Sequence, residues 1–499
     1  MKFLSHQYDG RRLMPLNVMS YEPFELGNRD AIAIIFKDMA TGKKYVETID
    51  KPKYEVYIVK PQFRKEMTYM HNWMSMDKLD RYMVSYRYRD RELGKILGIP
   101  PNEVKYSPLI FGYDMNIENY YYMQFLLEYG NDDHKELSVG FLDIENDVIQ
   151  CDGFPTPGEA PVSCVTYIDG ERDKVYTLAL AKDNLPVVPQ TNRYYDQYEK
   201  MRDDFYRQVE HFKTHIDDFV AECHENFDES YGVLEYNVLM FDDEVQMLRT
   251  LWQIINKTSN DFLEIWNAPY DIRNLIERPL VLGVEPESMI CDEQFKYKTC
   301  FFEEDSNVLV HKRNHRAIIG ILPTVIDQMV MYAGVRSGRG KLPSVKLNAV
   351  ARAVLKDSKL NYEEEGDIKT FMYKNLWKYY MYNIKDVLLQ YGIHKKTHDI
   401  DDIYNRCQMY ALLPSEVFVS TTMLTNSIAM YLLQNGFVIG TNANRIYPPF
   451  DYKKFIAEDT ELAEIEADSY VDPDNAMEIV IEDEEDDSYG YGNDEEWGA

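Results

Sequence analysis

Asp143 and Glu145 stand two apart in LSVGFLDIEND, a run opening at Leu137 that reads as a β-strand. A side-chain period of two puts both carboxylates on one face. Side by side and away from water they would repel, and a divalent metal such as Mg²⁺ or Mn²⁺, which favours oxygen ligands, resolves the conflict. Taken singly, a D-x-E pair is more often an exposed strand end. Asp271 follows Asn267 in WNAPYDIRNL, at a strand-to-helix junction where an acid commonly does no more than cap the helix. Tyr382 and Asp386, four apart in YNIKDVLLQ, share a helix face and project phenol and carboxylate into one space. Alone, that spacing fits a local structural contact equally well.

The elements that must carry these residues read as follows. LSVGFLDIEND, PVSCVTYID and KVYTLAL are three short β-rich segments separated by turn residues, expected as consecutive strands of one sheet. Met201, Phe205, Val209, Phe212, Ile216, Phe219 and Cys223 recur every three or four residues and mark one stripe of an amphipathic helix. Asp242 is placed to cap a helix through Val245, Leu248, Trp252 and Ile255, after which FLEIWN reads as a strand entering the loop at Ala268-Pro269. Strands paired first as hairpins and then joined through helices suggest a mixed α/β fold, a sheet covered by helices as in ribonuclease-H-like nucleases. Upstream, AIAIIFKDMATGKKYVETI and KYEVYIVK predict a hairpin-rich first domain with a turn at Ala40-Thr41-Gly42.

Length and composition set the frame. At ~150 residues per domain, 499 residues suggest about three domains, and 45% hydrophobic with 13% aromatic residues supplies folded cores. Lys and Arg number 54 against 85 Asp and Glu, a net charge of −31. Residues 455–499 hold 18 of those acids and no Lys or Arg, so the rest of the chain carries 67 acidic against 54 basic residues. Such a chain has no general attraction for nucleic acid, and any DNA binding must rest on local basic patches or metal ions. The acidic tail, ending EDEEDDSYGYGNDEEWGA, is expected to be disordered without a partner. Six scattered cysteines form no CxxC pair, the N-terminal segment MKFLSHQYDGRRLM is not that of a secretory signal, and no apolar run approaches ~18 residues. A soluble, intracellular protein with no membrane association is expected.

Other signals are weaker. HKRNHR (His311 to Arg316) and RSGRGK (Arg336 to Lys341) are compact basic loops, candidate phosphate contacts or ordinary solvated surface. His211, His215, Cys223 and His224 do not converge on one face and read as structural. Tyr120 to Tyr122 read as packing residues, and Asp147 with Asp399, Asp401 and Asp402 as solvated.

The order D-x-E on a strand, N-x-x-Y-D after a later strand and Y-x-x-x-D on a helix closely resembles the exonuclease motifs of family B DNA polymerases, in the tyrosine-bearing DEDD branch, especially those of tailed bacteriophages. The stretches FDDEVQMLRTLWQIINKTSNDFLEIWNAPYD and IDQMVMYAGVRSGRGKLPSVKLNAVARAVL resemble the approaches to its second and third motifs. The first 130 residues look like its N-terminal domain, and PSEVFVSTTMLTNSIAMYLLQNGFVI like its segment leading to the palm. The resemblance implies an N-terminal domain over 1–135, a 3′-5′ exonuclease domain over 136–398, a helical segment toward the palm over 399–454 and the acidic tail over 455–499.

By the same resemblance, two Mg²⁺ or Mn²⁺ ions would be held, the first by Asp143, Glu145 and Asp386 and the second by Asp143 and Asp271. Tyr382 would orient the attacking water. Asn267 would touch DNA, as would Lys312, Arg313, Arg316, Arg336, Arg339 and Lys341 if the basic loops contact phosphate. Phe301 to Ile319 matches a hairpin that helps separate strands. The chain carries no DxxSLYP, KxxxNSxYG or DTD, so it is not expected to synthesise DNA alone. It ends at Trp497-Gly498-Ala499, near where the family continues into its palm. The expectation is the proofreading half of a polymerase, split between two polypeptides or cut short by a coding break or truncation, in the cytoplasm of an infected host cell, with DNA, a palm-and-thumb polypeptide and other replisome proteins as partners. The rival expectation is a scaffold subunit with a weak or silent nuclease.

Overall fold

A computed structural model describes residues 4, 8, 10–21, 30–67, 72–129, 137–339, 343–362, 364 and 366–441. Lys341 and the acidic tail lie outside the described residues. The chain is mixed α/β and divides into two compact units that do not follow sequence order: the described residues of 1–52 join those of 116–430, and the described residues of 53–115 join 431–441. Among the described residues no helix is long and apolar enough to cross a membrane.

The chain opens with an antiparallel sheet of β1 (Leu13–Tyr21), β2 (Ala31–Asp38) and β3 (Lys44–Asp50), in the order β1-β2-β3. The predicted turn at Ala40-Thr41-Gly42 joins β2 to β3, with Gly42 at φ 72°. β4 (Lys53–Val59), β5 (Trp73–Ser75), β6 (Leu79–Ser85), α1 (Arg89–Leu97) and β7 (Ile110–Phe111) belong to the second unit. There β4 lies between β6 and β7, and a short strand at Phe437–Ile439 pairs with β5. Tyr57, Val59, Met74, Leu79, Phe111 and Val438 form its core.

The first unit continues with α2 (Ile117–Tyr129), where Tyr120, Tyr121 and Tyr122 are all buried, and then enters its main sheet. β8 (Val139–Asn146), β9 (Val162–Asp169) and β10 (Lys174–Leu180) are antiparallel neighbours, the three strands expected from the β-rich segments between turn residues. α3 (Tyr195–Thr214) and α4 (Ile216–Tyr231) lead to β11 (Glu235–Phe241), parallel to β10. α5 (Glu244–Thr258), β12 (Phe262–Ile265), α6 (Ala268–Val281) and α7 (Pro286–Ile290) follow. β13 (Cys300–Glu303) and β14 (Arg316–Ile319) form an antiparallel hairpin at the expected position, and β15 (Thr324–Asp327) adds in parallel to β12. α8 (Gln328–Arg336), α9 (Leu347–Val354), α10 (Ile368–Lys374), α11 (Leu376–Thr397) and α12 (Asp399–Tyr410) complete the layers. The sheet order is β11-β10-β9-β8-β12-β15.

Two local expectations shift. The stripe from Met201 to Cys223 lies on two helices rather than one, because the chain breaks at His215, whose φ of −125° leaves the helical region. The apolar spacing survives the break: Phe205, Val209 and Phe212 are buried on α3, and Phe219 and Cys223 on α4. The cap of α5 is Asp243, not Asp242, and its side chain accepts the Gln246 N–H at 2.8 Å.

The pleat of β8 separates two layers. Leu142 and Ile144 point into the core with Leu248, Trp252 and Ile255 of α5 and Ile272 and Leu275 of α6. The intervening residues meet α11: Phe141 packs edge-on to Tyr391, and Asn383 donates to Asp143. α11 is tied to the sheet by buried Gln390, which donates to the Leu142 carbonyl at 3.3 Å and accepts the Trp266 N–H at 3.2 Å. α6 is held by Arg278, whose guanidinium makes paired bonds of 2.8 and 2.9 Å to Glu244 at the start of α5. It also donates to the Gly158 and Glu159 carbonyls, and Glu244 accepts the Val162 N–H. Both side chains are about nine-tenths buried. Arg278→Ala leaves the Glu244 charge uncompensated, and a loss of about 3–5 kcal/mol is expected from urea unfolding with an unchanged m-value. A loss under about 1 kcal/mol would contradict this role.

Candidate metal centre

Asp143 and Glu145 sit near the C-terminal end of β8, opposite Thr166 and Cys164 of β9. The register shifts between Glu145 and Asn146, and such a bulge re-aims side chains at the end of a ladder. Asp386 projects from α11 one turn after Tyr382. Ligand oxygens of Asp143, Glu145 and Asp386 all lie within 4.8 Å of one another, and this is the one such group of three His, Cys, Asp or Glu among the described residues. Asp143 and Asp386 are buried and Glu145 is half-buried.

Asp271 is fully buried in the first turn of α6. Asn267, in the left-handed region at φ 64° and ψ 52°, is the residue from which that helix starts, and it makes no side-chain capping bond. Asparagine is among the few residues that tolerate this conformation. Asp271 is therefore no cap, and neither of its carboxylate oxygens has a hydrogen-bond partner. One Asp386 oxygen, Oδ1, is likewise buried and unpartnered.

Two residues that the motifs did not single out complete the site. Asn383 donates to Asp143 Oδ2 at 2.9 Å, and its own oxygen faces the Cys164 thiol at 3.5 Å, which fixes the amide orientation. Lys359, from the loop before α10, pairs with Asp386 Oδ2 at 2.9 Å and donates to the Tyr382 hydroxyl at 3.3 Å. A single lysine in an irregular loop carries no periodic or spacing signal, and nothing in the sequence distinguishes Lys359 from a surface lysine. The Tyr382 ring is boxed edge-on by Tyr362 and Phe371.

Burial dominates the electrostatics. It pushes Asp143 up to about 8, with the Asp386 charge adding to the effect while Lys359 and Asn383 oppose it. Burial first, and then the Asp143 charge, raises Glu145 and Asp271 well above the carboxylate range. Asp386 is also raised by burial, against the pull of Lys359. Burial would lower Lys359, yet Asp386 and Asp143 outweigh it and keep the ammonium charged. Tyr382 is raised by burial and by Asp386, so its hydroxyl keeps its proton. Unpartnered buried oxygens with raised pKa values are acceptors short of a cation, and hard oxygen donors suit a divalent metal. The donor set fits such an ion.

The remaining candidates lie as follows. Lys312 is exposed, Arg313 is half-buried with an unpartnered Nε, and the Arg316 guanidinium lies 5.8 Å from the Phe301 ring centre. Arg336 is committed to the fold: it pairs with Asp399 at 2.6 Å and lies 3.7 Å over the Tyr332 ring. The side chain of Arg339 lies outside the described residues, with Lys341. Asp399, expected in solvent, is buried by that pairing, whereas Asp401 is exposed and Asp402 faces Arg406 at 2.9 Å. Asp147 is also buried rather than solvated, takes a hydrogen bond from Tyr373 and is pushed up to about 6 by burial. The His211 and His215 rings lie 4.1 Å apart and tilted by 55°, while His224 pairs with Asp228 on α4. No family model matches the chain, and no curated protein matches it.

A carboxyl whose folded pKa lies above its unfolded value stabilises the fold below the unfolded pKa and loses that contribution as pH rises through the folded one. Between about 4 and the value of about 8 for Asp143, the metal-free melting midpoint is therefore expected to fall with rising pH. Asp143→Asn flattens the slope, and Mn²⁺ at pH 8 raises the wild-type midpoint but not that of the variant. Scanning calorimetry checks this, and a midpoint indifferent to both pH and Mn²⁺ would contradict it.

Proposed function

We propose that this chain is a 3′-5′ exodeoxyribonuclease, the proofreading portion of a bacteriophage-type family B DNA polymerase. The observation that carries the reading is the meeting of Asp143, Glu145 and Asp386, 243 residues apart from first to last, beside the protonated hydroxyl of Tyr382. Three hairpin-joined strands followed by strands reached through helices supply further support, as this is the connectivity expected of ribonuclease-H-like nucleases.

Two divalent ions, Mg²⁺ or Mn²⁺, would be held by Asp143, Glu145 and Asp386 and by Asp143 and Asp271, and would supply a lowered pKa for the attacking water and charge neutralisation at the scissile phosphate. Tyr382, a donor at neutral pH, orients that water. Lys359 opposes the burial-driven rise at Asp386 and offers a second positive group to the phosphate. Asn383 holds Asp143 in its rotamer, and Asn267 lines the approach at the start of α6. The β13–β14 hairpin would part the strands, and a mispaired end, cheaper to unpair, reaches the site more often than a matched one. Such a protein works in the cytoplasm of an infected cell with DNA, a polymerase palm and thumb, and other replisome proteins.

One observation favours the second reading, a scaffold with a silent nuclease. Lys359 already gives the acids a cation, so the cluster is partly neutralised without metal.

The purified chain with Mg²⁺ or Mn²⁺ is expected to shorten single-stranded DNA from its 3′ end, releasing 5′-mononucleotides. Asp143→Ala with Glu145→Ala abolishes this, and Tyr382→Phe, which removes the donor that orients the attacking water, lowers the rate by roughly 10²-fold. Full activity in the double variant rejects the assignment. Absence of activity in the wild type, with a palm-and-thumb polypeptide still bound, selects the scaffold.

A further inference from the structure

Of the six cysteines, Cys151, Cys164, Cys223 and Cys407 are buried, and only Cys291 and Cys300 reach solvent in part. These two are also a pair. Their sulfurs lie 3.7 Å apart, nine positions apart in sequence. Cys291 is the residue that ends α7, and Cys300 is the first residue of β13.

The backbone holds the two together. Gly320 accepts the Asp292 N–H at 2.7 Å and donates to the Thr299 carbonyl at 3.0 Å, bridging the residues next to each cysteine. A Cβ at Gly320 would come within 2.8 Å of the Cys291 sulfur, so glycine is what leaves the thiol its place. Cys300 in turn pairs with Ile319 at the root of the β13–β14 hairpin. Closing the sulfurs to about 2.05 Å asks for side-chain rotation and a small backbone adjustment at a site already clamped on both sides.

We propose that Cys291 and Cys300 form a redox-modification site that closes reversibly to a disulfide and staples the hairpin root to the end of α7. The oxidant is a small-molecule disulfide. The Cys291 thiolate attacks one of its sulfurs and expels one thiolate. The Cys300 thiolate then attacks the Cys291 sulfur of that mixed disulfide and expels the second reagent thiol. The two cysteines together lose two electrons and two protons, and the reagent gains them as two thiols. The Sγ–Sγ contact lowers Cys291 despite its burial and raises Cys300, so Cys291 is the first nucleophile. In a reducing compartment the pair rests as a dithiol and closes only under oxidation, the usual pattern for redox-sensing thiols.

The consequence for DNA rests on the nuclease reading above. If the hairpin parts the strands, a stapled root lowers shortening of paired 3′ ends relative to single-stranded ends.

The test treats the full chain with oxidised glutathione, alkylates the remaining free thiols and maps tryptic peptides by mass. Cleavage after Lys296 and Lys298 separates Cys291 from Cys300 unless a disulfide joins them. The expected result is that linked pair, lighter by two hydrogen atoms and reopened by dithiothreitol. Cys300→Ser should instead retain one glutathione on Cys291. Both cysteines fully alkylated, or both carrying glutathione without a link, would overturn the site. Exonuclease assays on paired and single-stranded ends separate the two proposals. A link with no shortening in either redox state leaves the redox site standing and removes the nuclease, whereas shortening without a link does the reverse. A link with an unchanged ratio of paired to single-strand shortening removes the coupling to the hairpin.

Discussion

Carboxylates forced together in a low-dielectric interior are the constraint on which the rest of this structure depends. Asp143, Asp271 and Asp386 are buried and Glu145 half-buried, and each is raised by burial before any neighbour is counted. No fold gains stability from such an arrangement, since desolvated like charges oppose folding. The protein holds them with partial remedies. Lys359 supplies one positive charge and Asn383 one donor, but both Asp271 oxygens and one Asp386 oxygen stay without partners. A buried acidic cluster of this kind could hold a metal ion.

The surrounding architecture supplies the rigidity that this requires. β8 is central in its sheet, laddered to β12 up to Leu142 and to β9 through Asp143 and Glu145, so the backbone of the two acids cannot shift without breaking the β9 ladder. α11 brings Asp386, Tyr382 and Asn383 to the same face, and Gln390 fixes its height against the sheet through Leu142 and Trp266. α6 brings Asp271 from the opposite layer, held at its far end by the Arg278–Glu244 pair and at its start by the left-handed Asn267. Three elements distant in sequence are thereby pinned by buried polar contacts, each costly to break.

What was legible in the sequence followed from period. The two-residue alternation of LSVGFLDIEND put Asp143 and Glu145 on one side of a strand and Leu142 and Ile144 on the other, and the helix repeat placed Tyr382 above Asp386. Turn chemistry at Ala40-Thr41-Gly42 was readable for a similarly local reason, whereas the hairpin near Phe301 to Ile319 was placed only by the family resemblance. Residues without a period stayed hidden. Lys359 lies in an irregular loop, and Asn383 looks like one more polar residue on a helix. Charge alone also misled: Asp147 and Asp399 read as solvated, yet Tyr373 and Arg336 supply buried partners from 226 and 63 residues away. The helix break at His215 was invisible because the apolar spacing runs through it unchanged.

The proposal that the acids hold a divalent cation is tested most directly by anomalous diffraction from crystals grown with Mn²⁺. The account predicts a manganese peak bonded to oxygens of Asp143, Glu145 and Asp386, with the Lys359 ammonium displaced from or sharing Asp386. Clear density for all three carboxylates with no anomalous signal among them, and Lys359 as their sole cation, would contradict it.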